Sequence, residues 1–74
     1  MPTKQQVRKY LTRSKNGWVF MRNTDHEYYE KELSNGMKLY VKLSHGDGEI
    51  PYRVWRKMLK QMGITQEEFN AGIS

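Results

Sequence analysis

The chain has no cysteine and only two histidines, His26 and His45. The first absence rules out a disulfide framework and fits a reducing compartment. The second scarcity leaves few ways to do chemistry at neutral pH. Long apolar runs are also missing. No stretch approaches the roughly 20 apolar residues of a membrane span. The polar N-terminal run Met1-Pro2-Thr3-Lys4-Gln5-Gln6 lacks the apolar segment of a signal peptide. A soluble, cytoplasmic protein is therefore expected. Acidic residues are in deficit: eight Asp and Glu face thirteen Lys and Arg, for a net charge of +5. That excess favours a polyanionic partner, and nucleic acid is the usual one.

With 74 residues there is room for one core only. The apolar fraction, 36 %, is low enough that stability on the order of a few kcal/mol is expected. The chain shows no internal repeat, linker or low-complexity segment. One domain over 1–74 is expected, with a core over about 3–63 and a short C-terminal helix over 65–72.

Thr3-Lys4-Gln5-Gln6 has capping-box spacing and predicts a helix starting at Thr3. Val7, Tyr10 and Leu11 share one of its faces, and Asn16-Gly17 is expected to end it. Trp18 to Arg22 reads as a strand, and Asn23-Thr24-Asp25 as a turn. A second strand runs through Tyr28, Tyr29 and Lys31. The third is the clearest, because Met37, Leu39, Val41 and Leu43 alternate with Lys38, Tyr40 and Lys42.

The turn Ser34-Asn35-Gly36 decides the register. A two-residue Asn-Gly turn would set Glu30 and Glu32 opposite the core residues Val41 and Leu39, which is costly. A three-residue loop with Gly36 left-handed pairs Leu33 with Met37 and Tyr29 with Val41 on the core face. It pairs Glu32 with Lys38 and Tyr28 with Lys42 on the other face, so burial and charge agree. By parity, His26 then falls on the polar face with Tyr28, Glu30, Tyr40 and Lys42.

His45-Gly46-Asp47-Gly48-Glu49 reads as a loop, and Pro51 suits the first turn of a helix. Val54, Trp55, Met58, Leu59 and Met62 form its apolar stripe, and Gly63 its end. Thr65-Gln66-Glu67-Glu68 is a second capping box, with Ile64 and Phe69 placed as a hydrophobic staple. The expected fold class is α+β: a three-stranded antiparallel sheet with helices on one face, in the α-β-β-β-α order of double-stranded-RNA-binding domains. That order alone assigns no function.

Three blocks carry a more specific signal. Asn16-Gly17-Trp18 is followed by a short strand and then Thr24-Asp25-His26. Leu43-Ser44-His45-Gly46-Asp47-Gly48-Glu49-Ile50-Pro51 comes next, then Met58-Leu59-Lys60-Gln61-Met62-Gly63-Ile64-Thr65. In order, spacing and total length the chain resembles the HicA (YcfA-like) toxins, small mRNA interferases of type II toxin–antitoxin pairs. The resemblance covers roughly residues 5 to 70. It implies a catalytic histidine opening the second strand, the place His26 occupies, and a HicB-like antitoxin partner that covers it. The commonest family form is Gly-Ser-His, where this chain has Thr24-Asp25-His26. A proline common before the second histidine is replaced by Ser44.

RNA carries its own nucleophile, the 2′-hydroxyl. An enzyme must supply proton transfer and cationic stabilisation of the developing charge, with no cofactor and no metal. His26 is expected to move the proton. Asp25 and Glu27 flank it, and their charge would tilt it toward a general-acid role. His45 is a candidate for a second site or for orienting its loop. Arg22, Lys38, Tyr40, Lys42, Arg53 and Lys57 are the RNA-binding candidates: aromatic and cationic interleaving on the sheet suits base stacking and phosphate contact. Asp25, His26, Glu27 and His45 match no standard metal-ligand spacing. The alternative reading is a non-catalytic RNA- or DNA-binding module of the same fold.

Overall fold

The computed structural model describes residues 2–74; Met1 of the polar N-terminal run lies outside them. Helix α1 (Lys4–Thr12) is followed by a 3-10 turn (Ser14–Asn16) and by strands β1 (Val19–Asn23), β2 (Glu27–Glu32) and β3 (Lys38–Leu43). Helices α2 (Tyr52–Met62) and α3 (Gln66–Ile73) complete the chain. The strands form one antiparallel sheet in the order β1-β2-β3. The fold is α+β with the expected α-β-β-β-α order and a third helix at the C-terminus.

Both capping boxes form. Thr3 Oγ1 accepts from the Gln6 N–H, while the Gln6 side chain accepts from the Thr3 N–H; Thr65 and Glu68 repeat the arrangement at α3. Each satisfies two of the N–H groups that a helix start leaves unpaired. Helix α1 is shorter than expected. It stops at Thr12, and Arg13 is extended. The Thr12 hydroxyl bonds back to the Arg8 carbonyl, and Asn16 Nδ2 donates to the Tyr10 carbonyl at 2.8 Å. Side chains thus take over the last turn's acceptors, and the chain turns away before Gly17, which is left-handed at φ 79°.

The β2–β3 register agrees with the sequence reading. Tyr28 faces Lys42, Tyr29 faces Val41 and Glu32 faces Lys38. Gly36 is left-handed at φ 87°, and the Leu33 N–H donates to the Met37 carbonyl at 2.7 Å. Two expected core positions fail. Met37 is 63 % exposed because it lies beyond the strand end, where no helix reaches it. Val54 is also exposed, on the rim of the α2 stripe. Strand β1 starts after Trp18 rather than at it. Trp18 is buried, whereas all five β1 residues are exposed along the sheet edge, with a bulge between Phe20 and Arg22.

The core joins Val7, Tyr10 and Leu11 of α1, Tyr29, Val41 and Leu43 of the sheet, and Trp55, Met58 and Met62 of α2 with Phe69 of α3. Phe69 stacks on Tyr10 at 5.2 Å and meets Trp55 edge-on at 4.7 Å. Gly72 lies so close to Tyr10 that a Cβ there would overlap the ring. One charged residue enters this layer. Glu27 is 8 % exposed, opposite Leu43 on the helix-facing side of β2.

Candidate active site

His26 stands at the end of the β1–β2 turn, one residue before β2. The turn is closed by the Thr24 N–H donating to the His26 carbonyl at 3.1 Å. Asp25 is its hub. One carboxylate oxygen accepts from Thr24 Oγ1 and from the Tyr28 hydroxyl, both at 2.9 Å. The other lies 3.3 Å from His26 Nδ1. The Tyr28 hydroxyl, then Thr24 and His26, hold the Asp25 carboxyl well below the usual carboxylate range. The same bond pushes the Tyr28 phenol up. Arg22 covers the Tyr28 ring at 4.4 Å, and the His26 ring meets it edge-on at 6.3 Å.

This arrangement distinguishes the two ring nitrogens of His26. Nδ1 is closed off from solvent and faces Asp25 off-line, at ion-pair rather than hydrogen-bond geometry. The side chain as a whole is 33 % exposed. Nε2 makes no hydrogen bond among the described residues and is the nitrogen left for a reacting group.

The groove in front of it has a volume of about 530 Å³. It runs between the end of β3 and one face of α2. Lys4, Lys42 and Lys57 bring three ammonium groups to its walls, Glu49 brings one carboxylate, and Val54, Ile50 and Met58 supply apolar lining. Lys4 is anchored there by its bond to the His45 carbonyl at 3.1 Å. The N-terminal segment is itself pinned to this loop by the Thr3–Glu49 bridge and by Ile50 N–H donating to the Pro2 carbonyl. A second groove, of about 380 Å³, opens on the sheet face between Met21, Arg22, Tyr28, Tyr40 and Lys42. Lys42 and Gln61 line both.

The expected site residues thus separate into groups. Lys42 and Lys57 share a groove with His26, and Arg22, Tyr40 and Lys42 share the adjoining one. Lys38 lines neither groove and is not a free cation. It pairs with Glu30 at 3.3 Å, diagonally across the strands, rather than with its direct neighbour Glu32, and the Glu30 carboxylate holds its pKa up. Arg53 is exposed on α2 and lines neither groove.

Glu27 does not sit beside His26. Alternation on β2 sends it to the opposite side, where it accepts from Arg8 Nε at 3.0 Å, Arg8 Nη2 at 2.9 Å and the Tyr29 hydroxyl at 2.9 Å. Of the two flanking carboxylates, Asp25 alone lies against His26. Nor is His45 a second groove residue. Its Nε2 lies 3.2 Å from the Thr24 carbonyl and its Nδ1 3.9 Å from Glu27, so it ties its loop to the His26 turn. Lys4 and Gln61 were not singled out by the sequence. Lys4 reads there as one more cation on a helix surface, and only the long-range pairing of residue 3 with residue 49 brings it to the groove.

No group of three or more His, Cys, Asp or Glu side chains among the described residues is arranged to hold a metal, and no described helix is long and apolar enough to cross a membrane. No protein-family model matches the chain, nor does any curated protein or solved structure.

Proposed function

We propose that this chain is a cytoplasmic, metal-independent endoribonuclease of the HicA toxin type, acting on mRNA through His26 and neutralised by a HicB-like antitoxin. The observation that carries this reading is one histidine, its Nδ1 turned to a carboxylate, set in a groove walled by Lys4, Lys42 and Lys57. In the reaction the 2′-oxygen of RNA bonds to the adjacent phosphorus and the 5′-oxygen leaves. The 2′-proton goes to solvent. His26, as the imidazolium paired with Asp25, delivers a proton from Nε2 to the departing 5′-oxygen. The ammonium groups offset the charge that builds on the phosphoryl oxygens. Lys42 and Lys57 are the best placed for this, since Lys4 already donates to a carbonyl. For the partner, the support is the basic surface together with the exposed edge of Val19, Phe20 and Met21, an uncovered strand that an antitoxin would protect.

The test is induced expression of the wild type beside His26→Ala, followed by growth and RNA integrity. Growth arrest and RNA decay confined to the wild type are expected, with cleavage by the purified variant lower by roughly 10²–10⁴. A wild type that binds RNA but leaves it intact would instead make the chain a binding module of the same fold.

A further inference from the structure

We infer that the second groove is a nucleobase subsite and that the substrate is single-stranded: one base stacks on Tyr40 while its phosphate is held by Lys42, one step from His26. This rests on the ribonuclease reading for the scissile bond but not for binding.

Tyr40 is 62 % exposed and has no aromatic partner among the described residues. Tyr28, its diagonal neighbour on the same face, is already engaged, with its ring under Arg22 and its hydroxyl on Asp25. Tyr40 is therefore the free π surface of the groove. Its direct cross-strand neighbour is Glu30, whose charge would repel a phosphate, but Lys38 pairs with that carboxylate at 3.3 Å. The remaining charge around Tyr40 is cationic, from Arg22 and Lys42.

Spacing supplies the second argument. Tyr40 and Lys42 lie on one sheet face two residues apart, about 6.8 Å, and Lys42 in turn lines the groove that holds His26. The interval suits about one nucleotide of an extended strand. Lys42 and Gln61 line both grooves, so the track from Tyr40 to His26 is continuous. Duplex RNA cannot use it, because its base faces are stacked on one another; single strands offer them to aromatic side chains.

The experiment measures binding of a short fluorescein-labelled single-stranded RNA, and of the same RNA annealed to its complement, to the full chain carrying His26→Ala. Tyr40→Ala, Tyr40→Trp and Lys42→Ala are then added singly. Circular dichroism checks that these exposed-face changes leave the fold intact. Tyr40→Ala is expected to weaken single-strand binding by roughly 5- to 150-fold, the range seen when a base-stacking aromatic is removed. Tyr40→Trp should retain it, Lys42→Ala should reduce the salt slope by about one, and the duplex should bind more weakly and ignore residue 40. Equal binding of both RNAs, or indifference of the single strand to Tyr40→Ala, overturns the subsite. Cleavage is scored separately with His26 intact. Loss of stacking in Tyr40→Ala beside a wild type that cuts nothing keeps the subsite and removes the ribonuclease. A cutting wild type whose Tyr40→Ala form binds and cuts equally well does the reverse.

Discussion

Replacing Glu27 by glutamine tests whether the carboxylate beneath the sheet is structural. The carboxylate accepts two charge-assisted bonds from Arg8 and one from the Tyr29 hydroxyl, with side-chain exposure of 28 % for Arg8 and 11 % for Glu27. Removing one member of a fully buried pair costs about 3–5 kcal/mol. Arg8 keeps part of its hydration, and glutamine still offers one oxygen, so a loss of about 2–3 kcal/mol is expected at pH 7. For a domain this small that is about 10–20 °C in Tm. Arg8 bonding holds the Glu27 carboxyl below its ordinary value. The depressed value means the folded state binds fewer protons than the unfolded chain just below that ordinary value. The contribution is therefore present above about pH 4.3 and lost as pH falls through the folded-state value. Urea unfolding at pH 7 and pH 3 measures both parts: the gap between wild type and Glu27→Gln should be wide at pH 7 and narrow at pH 3. A variant as stable as wild type at pH 7, or a gap that does not change with pH, would refute the assignment. RNA binding by the folded variant should be unchanged, because Glu27 faces away from both grooves.

Gly72→Ala should lower stability by about 1–3 kcal/mol by thermal unfolding, because the new methyl meets the Tyr10 ring, although alanine at an ordinary helix position gains about 1 kcal/mol over glycine. Burial, then the bond to Glu27, pushes the Tyr29 phenol up to about 12. The folded state thus holds that proton more tightly, so its contribution is full below about pH 10 and is lost as pH rises toward 12. Tyr29→Phe should flatten that alkaline loss, and an unchanged slope between wild type and variant would contradict it. His45→Ala should cost about 0.5–1.5 kcal/mol and shift the NMR resonances of the His26 ring, since it frees the Thr24 carbonyl from the loop. Unmoved His26 signals would show that loop and turn are independent.

What was legible in the sequence was whatever local chemistry decides. The capping boxes at Thr3 and Thr65 name the starts of α1 and α3, and each depends only on residues three apart. The β2–β3 register follows from Ser34-Asn35-Gly36 and the alternation on either side of it. The misses lie where distant segments meet. Glu27 reads as a charge flanking His26 until Arg8, 19 residues away, is placed against it. The end of α1 depends on Asn16 reaching both Tyr10 and Gly72. Strand β1 begins one residue later than its sequence suggests, with Trp18 buried before it and β1 itself exposed as the edge of the sheet.

The candidate site depends on the same turn chemistry, at a distance. Asp25, His26, Glu27, Tyr28 and Tyr29 are consecutive, yet alternation sends His26 and Tyr28 to the groove face and Glu27 and Tyr29 to the helices. A one-residue slip of β2 against β3 would exchange the two sets, leaving His26 beneath the helices and Glu27 in the lysine-walled groove. Both faces oppose that slip. Below, Arg8 and the Tyr29 hydroxyl require a carboxylate at Glu27; above, Asp25 requires the Tyr28 hydroxyl and the His26 ring together. Gly36 adds a third constraint, because a left-handed residue there sets the odd loop length that keeps Tyr29 opposite Val41. The buried ion pair and the loop glycine therefore serve the candidate site without touching it: they determine which side of the sheet the histidine occupies.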